Sequence, residues 1–176
     1  QQTATYVLVL GESARRDHLA LYGYTSNTTP LMAQQKDLLV FNNMVSYGYN
    51  TSTSIPYLMT KANDVAMQPS FLSVFKQAGF KVFWLSNQAK YGEFDSLISS
   101  YAASADVVHF MSTHSYSMNA PENFDEKLLP FYEQALADTA SKKLIVLHLY
   151  GSHPEFEKRY PTSSNVFASS YDNSIY

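Results

Sequence analysis

Two seven-residue runs constrain this chain most: ATYVLVL at Ala4–Leu10 and KLIVLHL at 143–149. Both are β-rich and almost continuously apolar, the pattern of strands buried on both faces rather than half-exposed ribbons. Between them the hydrophobic period alternates between two and 3.6. Strands are expected around 38–45, 81–86 and 106–110. Helices are expected at 14–22, capped by Ser13 and ended at Gly23, and from Thr51 onward. Further helices are expected at 70–77, with Pro69 as first helical residue, and over 122–137, where Phe124, Leu128, Phe131, Ala135 and Leu136 form a stripe. Strand-helix-strand spacing of this kind implies parallel pairing through right-handed crossovers. The expected fold class is α/β, a mostly parallel sheet sandwiched by helices, with residues 1–176 forming a single domain. SYDNSIY at 170–176 reads as a helix broken off in its second turn, so the chain is expected to be shorter than its natural gene product.

Composition narrows the function. Twelve Lys+Arg against 15 Asp+Glu give a net charge of −3, which excludes a broad basic surface for nucleic acid. No apolar stretch approaches the roughly 20 residues needed to span a bilayer, and no signal-peptide pattern opens the chain. Such a chain is either cytosolic or cut from something longer. With no cysteine there is no thiol nucleophile and no thiolate ligand for zinc.

In open parallel sheets the chemistry sits beyond the carboxyl ends of the strands, and three polar clusters fall there. Gly11-Glu12-Ser13 follows the first strand; its carboxylate is either a cap-like acid or a metal ligand, and position alone favours the cap. Asn50-Thr51-Ser52-Thr53-Ser54 opens a helix. Its hydroxyls either cap that helix or point at the place where helical N–H groups attract a phosphate. A hydroxyl needs a base or a metal to become a good nucleophile. His148-Leu149-Tyr150-Gly151-Ser152-His153 follows the last strand. His148 lies within the apolar pattern and reads as a packed core residue, whereas His153 lies in a Gly-containing loop suited to a ligand or phosphate. His109 and His114 read as solvated loop residues, and His18 as a cover for the sheet. Asn87, Gln88 and Lys90, placed after the strand that begins at Lys81, are candidates to line a donor pocket, though Lys90 fits a solvated surface position as well.

Taken together, VLVLGESARRDHLALYGY at 7–24 with Thr28-Thr29-Pro30, NTSTSIP at 50–56, KQAGFKVFWLSNQ at 76–88, KLIVLHLYGSHPEFEKRYP at 143–161 and YDNS near the end resemble the catalytic domain of bacterial phosphoethanolamine transferases. That family lies in the alkaline phosphatase/sulfatase superfamily and modifies lipid A or the lipopolysaccharide core. The resemblance implies an inner-membrane enzyme whose catalytic domain faces the periplasm, with membrane association through segments outside these residues. It implies zinc held by Glu12 and Thr51, Thr51 as nucleophile five residues before Pro56, and His153 as an active-site histidine. It also implies a downstream Asp-His pair in a DHG motif. No DHG occurs here, so these 176 residues alone are expected to bind metal weakly and to be inactive. Tyr47 and Tyr57 stand where many relatives carry cysteines, which leaves the acceptor, a lipid A phosphate or a core sugar, open.

The implied reaction moves phosphoethanolamine from phosphatidylethanolamine to lipopolysaccharide through a phosphothreonine-type intermediate. One alternative is a phosphodiesterase or sulfatase-type hydrolase of the same superfamily. Ser54-Ile55-Pro56-Tyr57-Leu58 has Leu where the formylglycine motif of sulfatases needs Arg, which argues against a sulfatase. The other is a metal-free domain that binds a lipid headgroup or glycan.

Overall fold

The computed structural model describes residues 3–60, 69–92, 96–114 and 123–164. Four strands, β1 (Ala4–Leu10), β2 (Lys81–Tyr91), β3 (Val107–His114) and β4 (Lys142–His148), form one sheet in the order β1-β4-β2-β3. Every pairing is parallel, with Leu10 opposite His148 and Ser86 opposite the same His148. The strand ends therefore line up, and the loops that leave β1, β2 and β4 emerge side by side.

Helices α1 (Thr51–Met59), α2 (Phe71–Gln77) and α3 (Ser96–Ala102) carry Ile55, Met59, Leu72, Ile98 and Ala102 onto one face of the sheet, against Val82, Trp84, Leu144 and Val146. Helix α4 (Leu129–Ala137), with Leu128 before it, covers Phe83, Leu85 and Ile145 on the other. This is the α/β sandwich expected from the sequence. Successive residues of β2 and β4 point into opposite cores, which is why those strands have no polar face to show.

The strand at β1 departs from expectation. Its seven residues pair with β4 on one side only among the described residues, and α4 does not reach over it. Val7 and Val9 stay 41% and 54% exposed, so only one face of β1 is packed, largely by Leu8 and Leu10.

Several local expectations are corrected. Residues 38–45 form no strand; they run as irregular chain with Leu39, Phe41, Met44 and Val45 exposed, and no strand among the described residues pairs with them. The helix expected at 14–22 is two separate 3-10 turns, Arg16–His18 and Ala20–Tyr22. Thr28 Oγ1 accepts from the N–H of Ala20 at 2.9 Å and donates to the carbonyl of His18 at 2.7 Å, and Thr29 Oγ1 accepts from the N–H of Leu21 at 3.2 Å. These side chains take the backbone groups that a continuous helix needs. The 122–137 helix is likewise split: a 3-10 turn at Asp125–Leu128 precedes α4, and Pro130 falls at the start of α4, where its missing N–H costs nothing. Helix α2 is capped by Ser70 and begins at Phe71, so Pro69 lies outside it. Strand β3 runs on through His109 and His114, which therefore are not loop residues: His109 packs on the Phe131 ring at 4.6 Å, and exposed His114 ends the strand. The 170–176 segment lies outside the described residues.

His148 is the core histidine that the apolar pattern suggested. It is buried, its Nδ1 lies 3.1 Å from Ser86 Oγ, and its ring meets Trp84 edge-on at 5.7 Å. Burial depresses its pKa from 6.5 to about 4 despite the opposing pull of Glu12 and Asp125. Above pH 6.5 the ring is neutral in both folded and unfolded chains and contributes no pH dependence. Between pH 6.5 and 4 the unfolded chain takes up a proton that the folded one refuses, so stability falls as pH falls, by at most about 1.4 kcal/mol per unit. His148→Phe should flatten the slope of melting temperature against pH in that window, as followed by circular dichroism. An unchanged slope would show that other groups set it.

Candidate active site

Glu12 is the second residue after β1, and Thr51 is the first residue of α1. Thirty-nine residues separate them in the chain, yet the Thr51 hydroxyl donates to Glu12 Oε2 at 2.5 Å. The other carboxylate oxygen accepts from Ser13 Oγ at 2.8 Å, and Gln88 Nε2 donates to Oε2 at 3.3 Å. Burial pushes the Glu12 carboxyl up, the largest single influence. The hydrogen bonds from Thr51, Ser13 and Gln88 and the attraction of His153 act the other way and together hold it below the ordinary carboxylate value. Glu12 is thus an anion at neutral pH, with a hydroxyl pressed against it.

The sequence around α1 explains why Thr51 rather than its neighbours is placed there. Asn50 caps the helix: its Oδ1 accepts from the N–H of Thr53 at 2.9 Å and from the Thr53 hydroxyl at 2.7 Å. Ser52 Oγ donates to the same oxygen at 3.0 Å, and Ser54 Oγ donates to the carbonyl of Gly48 at 2.9 Å. Of the hydroxyls crowded at this helix start, Thr51 is the one directed to the carboxylate. Gly48 is required by the same turn, since a Cβ there would lie 2.1 Å from Thr53 Oγ1. A cleft of about 500 Å³ opens over the pair, lined by Glu12, Ser13, Arg15, Ser46, Tyr49 and Thr51 among others.

Gln88 and Asn87 lie inside β2, not after it, and both are buried. Gln88 spends its amide on Glu12 and on the carbonyl of Leu149 at 2.9 Å; Asn87 Nδ2 donates to Asp125 Oδ1 at 3.0 Å. Exposed Lys90 stands 5.2 Å from the Tyr91 ring centre, matching the solvated alternative. None of the three borders the cleft over Thr51. His153 is half-buried, stacks on the Tyr150 ring at 4.8 Å, and meets Glu12 through charge rather than a hydrogen bond. Its Nδ1 is buried with no hydrogen-bond partner.

Nothing in the residue pattern points to Asp125. A single acid at the start of a 3-10 turn carries no spacing signal, yet its carboxylate accepts from the N–H of Tyr150 at 2.7 Å and that of Gly151 at 2.9 Å. Only the fold, which lays residue 125 against the end of β4, exposes this role.

The sulfatase family profile matches residues 4–176. The chain belongs to the sulfatase family. YhbX of Escherichia coli, named provisionally as a transferase, is 40% identical over 185 residues, covering 98% of this chain and 32% of its own length. The phosphoethanolamine transferase EptC of the same species is 33% identical over 178 residues, covering 96% and 30%. Among solved structures, the C-terminal periplasmic domain of E. coli EptC in complex with zinc superposes with a TM-score of 0.85 at 30% identity, covering 99% of this chain and 56% of that one. The chain thus spans about a third of these relatives' length. No helix among the described residues is long and apolar enough to cross a membrane.

Zinc accepts the carboxylate and hydroxyl oxygens that Glu12 and Thr51 offer, but its catalytic sites take three protein ligands and an open position. Among the described residues no group of three or more His, Cys, Asp or Glu is placed to hold a metal ion. The oxygens of Glu12 and Thr51 are of a kind a zinc ion takes, but two donors do not by themselves make such a site.

Gly151 is where this site has no slack. Its φ of +51° is left-handed, and an added Cβ would lie 3.0 Å from the backbone N and O of Glu12. Gly151→Ala should lower stability by about 1–3 kcal/mol through backbone strain and crowding, read from urea unfolding. A wild-type midpoint would show that the loop absorbs the methyl group without loss.

Proposed function

We propose that this chain is the nucleophile-bearing part of a phosphoethanolamine transferase that faces the periplasm from the inner membrane. The observation that carries the reading is the Thr51 hydroxyl held at 2.5 Å from the Glu12 carboxylate at a helix start. It stands in a chain whose relatives include phosphoethanolamine transferases.

The donor is phosphatidylethanolamine, with its phosphate set at the first turn of α1, where free N–H groups favour an anion. Thr51 Oγ1 forms a bond to phosphorus while the P–O bond to diacylglycerol breaks. The Thr51 hydroxyl loses its proton as it attacks, and the departing glyceryl oxygen ends with one. A hydroxyl or phosphate oxygen of lipopolysaccharide then displaces Thr51 from phosphorus in the same sense. Glu12 and Thr51 would hold a zinc ion together with further donors that complete its set. Held there, it would lower the pKa of the Thr51 hydroxyl and neutralise charge at the phosphoryl group. His153, whose attraction helps to hold the Glu12 carboxyl low, is a candidate to meet a phosphoryl oxygen once donor is bound.

The test uses the intact protein with a phosphatidylethanolamine donor and mass spectrometry of its peptides. A phosphoethanolamine adduct is expected on Thr51 and lost in Thr51→Ala. An adduct on Thr53 or Ser54 that survives this change would assign the wrong hydroxyl, and no adduct with no bound zinc would favour the metal-free binding domain. Glu12→Gln should lower zinc content, measured by elemental analysis, and reduce transfer by about 10²-fold or more. Full zinc occupancy in that variant would remove Glu12 from the ligand set.

A further inference from the structure

Asp125 opens the 3-10 turn before α4, where an acid ordinarily serves its own helix. Here its side chain bonds to Asn87, Tyr150 and Gly151. Its two oxygens instead reach across the fold. Oδ1 accepts from Tyr150 N and Asn87 Nδ2, and Oδ2 accepts from Gly151 N. The two backbone donors are N–H groups left behind where β4 ends at His148.

What these bonds hold in place is Glu12. Gly151, fixed by Asp125, packs directly on the Glu12 backbone, and the N–H of the next residue, Ser152, donates to the Glu12 carbonyl at 3.0 Å. Asn87, fixed by the same carboxylate, precedes Gln88, whose amide touches Glu12 Oε2. Backbone and side chain of Glu12 are thus each braced by a residue next to, or itself, a partner of Asp125. We propose that Asp125 is a positioning residue for transfer: it clamps the loop after β4 and the middle of β2, and so sets the Glu12 carboxylate against the Thr51 hydroxyl. The chemistry demands a carboxylate. Three donors converge on both arms of the side chain, and an amide would turn an NH₂ group toward one of them. Charge-assisted bonds to backbone N–H groups are also the stronger kind. The kinetic part of this proposal rests on the transferase reading.

The experiment compares wild type with Asp125→Asn in the intact protein, by hydrogen exchange with mass spectrometry and by steady-state transfer from phosphatidylethanolamine. Exchange at the amides of Tyr150 and Gly151 should accelerate at least about tenfold, with the amides of β2 and β4 unchanged. kcat per folded molecule should fall by about 10- to 100-fold, the scale of a small misplacement of reacting groups, with KM for the donor within about threefold. Asn87→Ala removes one donor and leaves both backbone bonds. It serves if Asp125→Asn fails to fold, and should lower kcat by about three- to tenfold at unchanged KM. Loss of activity that only follows the folded fraction would reduce Asp125 to a structural role, and wild-type kcat alongside faster exchange would overturn the proposal. If the wild-type protein transfers nothing, the transferase reading falls by itself, and unchanged exchange at Tyr150 and Gly151 would then overturn the clamp as well.

Discussion

The contact between Thr51 Oγ1 and Glu12 Oε2 depends on almost every other feature of the fold. Neither residue can find the other locally. Glu12 is delivered by β1, whose register against β4 puts Leu10 beside His148, and Thr51 is delivered by the capped first turn of a helix seated on the sheet through Ile55 and Met59. A carboxylate in partial burial is stable only when its lone pairs are used. The hydroxyls of Thr51 and Ser13 and the amide of Gln88 use them. The electrostatic requirement and the arrangement proposed for transfer are the same set of bonds.

Much of this was legible in the residues. Continuous apolar runs located β1 and β4, and the alternation of periods gave the layered α/β class. The rule that chemistry gathers at carboxyl strand ends picked out the clusters at 11–13, 50–54 and 148–153, and the family resemblance chose Glu12, Thr51 and His153 within them. His148 and His153, five residues apart, separated as their surroundings suggested: one closed in the core on Ser86, the other in the loop against Tyr150.

The failures share one physical cause. Residues 14–22 have helical spacing, but hydroxyls eight to ten positions downstream take their backbone groups, and no window of hydrophobicity contains that competition. Asn87 and Gln88 look like pocket residues because they are polar and follow an apolar run. In the structure the strand simply continues through them, with a shift of register between Ser86 and Ala89, and their amides work behind the site. Asp125 was invisible for a related reason: its partners lie 25 to 38 residues away, and long-range hydrogen bonding leaves no local periodicity.

The bare flank of β1 has a consequence for handling the molecule. Among the described residues no strand pairs with that side of this seven-residue strand, and Tyr6, Val7 and Val9 stand beside it at 55%, 41% and 54% exposure. Flat apolar borders of this kind recruit strands from neighbouring molecules. β1 carries no charged residue and no proline to discourage it. Concentrated solutions of these residues alone should therefore tend toward cross-β association, and solubility becomes a property of whatever shields that border.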